Sequence, residues 1–540
     1  MGAMGGRLGN GGIAVGAAVL TLLLLPGRAL AARRGAAEGE AVRLEVLGEE
    51  AAPAATEAPL PPATVPEEDR PRARAFVKGE LTRVGATKLL AKDTRLGVRA
   101  GYEYLDRTHY LLLVPEFDYR HEAFFLGVGV PLHLEIFGPD GFANAGRIRP
   151  QDYDTPSDFA KIVRHLQYGG KEQRLFLRMS QLDAATIGHG TLVRRYFANL
   201  DIDTSRVGFE FDAYNDFAGF EAHLNDVVAP FVLAAGGPAA EGLGAVTGVL
   251  VFVKPLALFS DALFARSLSL GASYAAEWNA PLRLAPPDAI GRIVTDAFGR
   301  PVYEGGLVDL AGVDAEFKVV KTESVDIKPF VDFSVLRAPF QAGQGGWGAT
   351  VGALGRFNVV GSADPDATVH ALRAILELRY FAGNYLPGYF DTFYEVQKYA
   401  YRQDAGGTWR TKYQAITAGD PALRHLGVYA EFTWAPQDRF GVSAAVELST
   451  AAQANNLYLH FEVPTFRYLQ FFFTVHKRGV TLANLGSLEG TLLVAAGRLQ
   501  VLPILWLNGR LHNLFVFDET QKIFTTELGV GLDVELGWEF

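Results

Sequence analysis

The 540-residue chain contains no cysteine. That excludes a disulfide framework, lipidation on a Cys, Cys-ligated zinc or iron–sulfur centres, and thiol catalysis. Long helical periodicity is almost absent. Outside positions 13–25 no stretch approaches an unbroken apolar run of the roughly 20 residues that a spanning helix needs. Positive charge is in deficit, with 50 Lys and Arg against 60 Asp and Glu and a net charge of −10, which argues against nucleic acid as a partner. No Ser stands in a recognisable nucleophile context, so no catalytic residue is assigned. The turn at 187–191 lacks the spacing and the Lys-Ser/Thr ending of a phosphate loop. His133, His223, His460 and His476 fall on the wet face of alternating segments as ordinary interior residues, and neither a metal nor a cofactor is expected.

The chain opens with Arg7, an apolar or small-residue run at 13–25, a break at Pro26 and Gly27, and Ala29-Leu30-Ala31. This pattern predicts a secretory signal peptide over 1–31, with Ala29 and Ala31 as the small residues of the cleavage site. Its removal takes away Arg7 and Arg28 and no acid, moving the net charge from −10 to −12. A Cys-free chain also suits passage through an oxidising compartment. Residues 32–92 are dominated by Ala, Pro and Glu. Such a segment buries too little apolar surface to offset its ordering entropy, so it is expected to be a mostly disordered periplasmic linker.

From Arg95 the pattern changes to strict alternation of apolar with polar or small residues, as expected of strands with one oily and one wet face. Nineteen segments show it, beginning with a meander over 95–136 and ending with 524–540. In the last of them Leu528, Val530, Leu532, Val534, Leu536, Trp538 and Phe540 are apolar and every residue between is acidic or Gly. Aromatics gather near strand ends, as with Tyr102, Tyr104, Trp278, Trp347 and Trp434, where amphipathic rings suit a membrane interface. The predicted fold over 93–540 is all-β, a transmembrane antiparallel up-and-down β-barrel of about 18 strands (roughly 16–20). Nineteen conflicts with the even number usual for such barrels. Counting short turns from both ends places the conflict between 137 and 205: either 172–182 is not a strand, or part of 191–201 is one.

The same region holds the candidate site. Residues 157–167 have a short helical rhythm, with Phe159, Ile162, Val163 and Leu166 on one face, suited to folding into the lumen or forming an ordered turn of a loop. Two glycines flank His189, and Arg194 and Arg195 follow. Facing Asp201, Asp203, Asp212 and Asp216, they are the ingredients of a charged pore constriction or, equally, of a salt-bridged support inside the wall. Counted along the wet face, nineteen acids oppose eleven bases, which predicts a polar, net acidic interior with a modest cation preference. The loops at 279–305 and 382–425 are expected to be long and exposed at the outer side.

The leader, the Cys-free chain, the strand series from Arg95 and the terminal Trp538-Glu539-Phe540 together resemble bacterial outer-membrane β-barrel proteins of the porin type. The resemblance implies that Val534, Leu536, Trp538 and Phe540 form the signal read by the barrel-assembly machinery. It also implies an outer-membrane location, contact with membrane lipid, possible homo-oligomers, and passive diffusion of small polar or ionic solutes constricted at 150–225. A plugged barrel acting as a scaffold or partner-binding protein is the alternative, and an outer-membrane enzyme the third choice.

Overall fold

A computed structural model describes residues 94–539 apart from 172–173, 202–203, 237–242, 289–291, 296–300, 323, 338–344, 361–368, 404–407, 419–424, 437–439, 451–453, 467, 489 and 519–522. The expected leader with Ala29 and Ala31, the linker at 32–92, and the candidate residues Asp203 and Phe540 lie outside the described residues.

Twenty strands form a closed antiparallel barrel. In chain order they are β1 (Arg95–Leu105), β2 (Thr108–His121), β3 (Phe124–Gly129 continued by Leu132–Phe137), β4 (Val163–Tyr168), β5 (Leu175–Ser180), β6 (Gly208–Tyr214) and β7 (Ala218–Leu224). There follow β8 (Ala245–Val253), β9 (Ser269–Leu284), β10 (Tyr303–Glu316 with Val320–Lys321), β11 (Val325–Arg337), β12 (Gly346–Val360), β13 (Val369–Phe381) and β14 (His425–Pro436). The last are β15 (Gly441–Ser449), β16 (Asn456–Phe466), β17 (Leu469–Arg478), β18 (Thr491–Leu502), β19 (Leu505–Asp518) and β20 (Ile523–Glu539). Each pairs with its sequence neighbours. The barrel closes where β20 meets β1, in register from Arg95↔Glu539 to Tyr104↔Val530. Closure removes the unpaired strand edges that lipid cannot satisfy. Among the described residues no helix is long and apolar enough to cross a membrane.

Alternation decides which face is which. On β20, Asp533 and Glu535 are buried toward the lumen, whereas Leu532 is 62% exposed and Val534, Leu536 and Trp538 are exposed beside it. Both inward acids have partners there: Asn508 donates to Asp533 at 2.7 Å and Arg498 to Glu535 at 2.6 Å. Leu96, Val351, Leu376 and Leu378 continue the exposed apolar exterior around the wall. In water a surface of this kind would drive aggregation.

All nineteen alternating segments are strands, including 172–182 as β5. The twentieth is β4, not part of 191–201, and it corrects the helical expectation for 157–167. A 3-10 helix covers only Pro156–Ile162, and the chain then extends from Val163. The sequence hid this strand because its pairing with β3 carries a register shift between Gly127 and Val128. A bulge there breaks the two-residue period on which recognition of a strand depends.

The short connections 122–123, 254–268, 322–324, 361–368, 437–440, 467–468 and 503–504 all join strands at one end, where β1 begins and β20 ends. The longer connections 138–162, 181–207, 225–244, 285–302 and 382–424 lie at the other end. In two of these, 181–207 and 382–424, the described residues are largely buried or half-buried rather than exposed. They turn inward and fill part of the lumen.

Candidate functional site

The plug begins with apolar residues that a surface loop could not carry. Leu182, Ile187, Leu192, Val193 and Tyr196 from the first segment form one buried cluster with Tyr385, Leu386, Tyr389, Phe390, Tyr394, Tyr413 and Ile416 from the second, and with Val246, Leu250 and Leu310 of the wall. The aromatic run Tyr385 to Tyr399 was the available signal. Eight large apolar residues in that stretch would leave too much oily surface in an exposed loop, contrary to the placement expected for 382–425.

Backbone pairing joins the two segments. Val193 and Phe390 form a parallel bridge, with Arg194 N–H donating to Phe390 O at 3.0 Å and Gly388 N–H to Thr191 O at 2.8 Å. The helix Lys412–Thr417 is started by Thr411, whose hydroxyl accepts from Gln414 N–H at 3.0 Å. The turn around His189 needs its glycine: Gly190 has φ +81°, and a Cβ there would stand 2.5 Å from Arg194 Nε.

Arg194 and Arg195 bind the plug to the wall. Arg194 donates to Glu377 of β13 at 2.8 Å and lies 4.1 Å from the centre of the Tyr429 ring. Arg195 pairs with Glu431 of β14 and donates to Tyr429 Oη at 2.8 Å. Glu377 and Glu431 also hold Arg379 and Arg373. The partners are therefore not the acids nearest in sequence. Asp212 is paired with Lys171 at 3.1 Å. Asp201 bridges Phe515 through its backbone and accepts from Thr204 at 3.0 Å. Of the described candidates, Arg194, Arg195 and Asp216 line one cavity together.

A second charged group lies deeper. Lys398 donates to Glu277 of β9 at 2.8 Å and is paired with Glu395 at 2.9 Å. Arg206 and the Tyr196 hydroxyl also reach Glu395, and the Tyr394 hydroxyl reaches Glu277. Two acids and two bases are buried together, so each charge meets an opposite one where an unpaired charge would be costly. Neither Glu277 nor Lys398 was singled out by sequence, because their elements meet only when the 382–424 connection folds inward. At the long-connection end, Ser157 Oγ donates to Asp226 at 2.5 Å and Asp158 accepts from Ser205 N–H at 3.2 Å. Phe159 is 56% exposed, which fits the ordered-turn alternative for this segment rather than folding into the lumen.

Lys412 is fully buried beside Tyr389, Tyr394 and Tyr401, with its ammonium 2.6 Å from Tyr389 O and 3.4 Å from Asp391. Asp391 already holds Arg478 at 2.6 Å. Burial, opposed by Asp391 and reinforced by Arg478, pushes the Lys412 ammonium down to about 7. A displaced plug returns this lysine to water and its ordinary value of 10.5. Across that window the displaced form binds the proton that the seated form has lost, so seating strengthens as pH rises from about 7 toward 10.5 and weakens as it falls back toward 7. Limited proteolysis within 382–418, corrected for the protease's own pH profile, should be slower at about pH 9 than at about pH 7. Lys412→Met should flatten that dependence; an unchanged slope would assign it to another group.

Toward the short-turn end the lumen opens into a cavity of about 770 Å³. Its floor is Gly188, His189, Arg194 and Arg195, and its rim includes Asp216, Lys254 and Arg266 from the turns. His189 stacks on Phe330 with ring centres 3.9 Å apart. Nine Lys or Arg and seven Asp or Glu line this space, so the open part of the lumen is not the acidic interior expected from the whole-barrel count. The difference arises because acids such as Glu116, Asp118, Asp533 and Glu535 are in the wall's own ion pairs with Arg95 and Arg99, elsewhere in the barrel. A small gap of about 40 Å³ remains between plug and wall near Tyr458 and His476.

No protein-family model matches the chain, and no curated protein matches it. Among solved structures it is similar to Wzi of Escherichia coli, an outer membrane protein involved in group 1 capsule assembly and described as a carbohydrate-binding β-barrel. That likeness has 11% identity and a TM-score of 0.29, covering 83% of this chain and 85% of the other. It is similar also to OccK8 (OprE) of Pseudomonas aeruginosa, at 8% identity, TM-score 0.29 and coverage of 83% and 98%. For OccAB2 of Acinetobacter baumannii the values are 11%, 0.27, and 83% and 98%. Likenesses this distant carry no argument about activity. The strand pairing itself makes the chain a large closed antiparallel β-barrel, and its resemblance to bacterial outer-membrane barrels is one of class.

Proposed function

We propose that this chain is an outer-membrane β-barrel closed at rest by its own 181–206 and 382–418 segments, admitting small polar solutes to the vestibule and passing them only when those segments shift. The observation that carries this is the seat of the plug: Arg194 and Arg195 bonded to Glu377 and Glu431 of the wall, over a buried apolar cluster contributed by both segments. Membrane lipid would cover the apolar exterior, and the barrel-assembly machinery would read the terminal strand. A standing porin-like pore is the second candidate, favoured by the barrel's size, since sixteen or more strands usually leave an aqueous lumen.

Single-channel recording of the refolded mature protein in a planar bilayer separates the two. The plugged barrel should insert with little steady conductance and rare, brief steps. Large stable steps on insertion would overturn the closed resting state in favour of the standing pore.

A further inference from the structure

We infer that the vestibule is a binding site for a small organic anion, an acid group carried on an apolar or aromatic body. The inference rests on the plugged-barrel reading for the cavity's floor, though not on any passage through the plug. A volume of about 770 Å³ lies within the range of small-molecule sites, which are typically concave, partly apolar and furnished with a few convergent polar groups.

Nine cations against seven acids leave the polar groups here with a positive excess, and the cations gather on one side. Lys254, Lys318, Lys321, Lys328 and Arg356, on strands β10 to β12 and the turns beside β8 and β10, line the same cavity. Only part of this charge is neutralised by the protein: Lys328 pairs with Glu316 at 2.7 Å and Lys318 with Asp326. Among the described residues, Lys254 and Lys321 take part in no ion pair. Burial lowers the Lys254 ammonium from its ordinary value, with Lys318 and Lys328 adding to the effect and Glu316 and Asp216 opposing it.

The acids at the floor are otherwise engaged. Glu221 accepts from Tyr214 Oη at 2.9 Å and Gly188 N–H at 3.3 Å. Asp314 stands 3.7 Å from His189, and Asp261 at the rim pairs with Arg266 at 3.5 Å. Asp216 remains, on an exposed turn. Phe252, Phe330 and Leu354 supply an apolar wall beside the cations. An inorganic anion would use the charge and leave that wall bare, and a neutral aromatic would use the wall and leave the cations crowded.

The test is equilibrium titration of the full, detergent-folded chain with four probes: benzoate, benzyl alcohol, benzylamine and inorganic phosphate. Benzoate should saturate, and the other three should bind about tenfold more weakly or worse. The double variant Lys254→Gln/Lys321→Gln should weaken benzoate about tenfold and leave the weak binding of benzyl alcohol unchanged. Lys254→Arg/Lys321→Arg should keep benzoate binding, which separates loss of charge from loss of fold. Equal binding of benzoate and benzyl alcohol, phosphate as tight as benzoate, no saturation with benzoate, or indifference to the Gln pair would each overturn the inference. Conductance is not the readout, so a standing pore in the bilayer and an empty vestibule in the titration are separate failures.

Discussion

Replacing Arg194 and Arg195 together by alanine should convert a barrel that inserts almost silently into one that conducts in large, frequent steps. Each guanidinium donates to a wall carboxylate, Glu377 at 2.8 Å for Arg194 and Glu431 for Arg195, and lies over the ring of Tyr429 or Tyr458. A hydrogen bond to a charged group contributes about 1.5–3 kcal/mol. The wall survives the change because Glu377 keeps Arg379 and Glu431 keeps Arg373. The loss therefore falls on the seat of the plug, where removing about 1–3 kcal/mol shifts a closed-to-open ratio by roughly 5- to 150-fold. Lysine at both positions should restore closure only in part, since an ammonium cannot reproduce the planar fork or its stacking. Open probability in a planar bilayer is the measurement. If the alanine pair leaves it unchanged while the barrel still inserts, the two arginines do not hold the plug.

Lys398→Met should loosen the 382–418 segment more than any other single substitution in it. Lys398, Glu277 and Glu395 are almost fully buried, and the lysine stands 2.8 and 2.9 Å from the two carboxylates. Without it Glu277 keeps only the Tyr394 hydroxyl among its described charged or polar partners, while Glu395 still has Arg206 and Tyr196. Breaking a buried pair from one side costs about 3–5 kcal/mol because the remaining charge is stranded. The second change Glu277→Gln removes the stranded charge and should recover most of the loss, so the double mutant should be far less destabilised than the sum of the singles. Proteolytic cleavage within 382–418, measured beside the gel mobility of the folded barrel, reports the segment separately from the wall. Additive losses in the two single variants would refute the pairing as the source of stability.

These two groups mark the boundary between what sequence and structure supply. Arg194 and Arg195 stand out in sequence as adjacent cations after a glycine-flanked His. Their true partners lie 183 and 236 residues away, on strands whose position around the wall is undefined until the barrel closes. The acids close in sequence were the natural guess, yet Asp201 and Asp212 face other groups. Lys398 and Glu277 carried no local signal at all.

The sequence by itself determined the wall. A two-residue period is a local property, and nineteen of twenty strands, the inward and outward faces and the end at which the short turns lie all follow from it. It failed at β4, where a bulge interrupts the period within six residues. Only the tertiary structure decided what fills the lumen. Whether a long connection faces solvent or turns inward depends on the space enclosed by strands distant in sequence and on charges those strands present at one height. The aromatic run from Tyr385 to Tyr399 requires burial somewhere, but its burying surface, made by Leu192, Val193, Tyr196 and the wall, exists only once the barrel has closed around it.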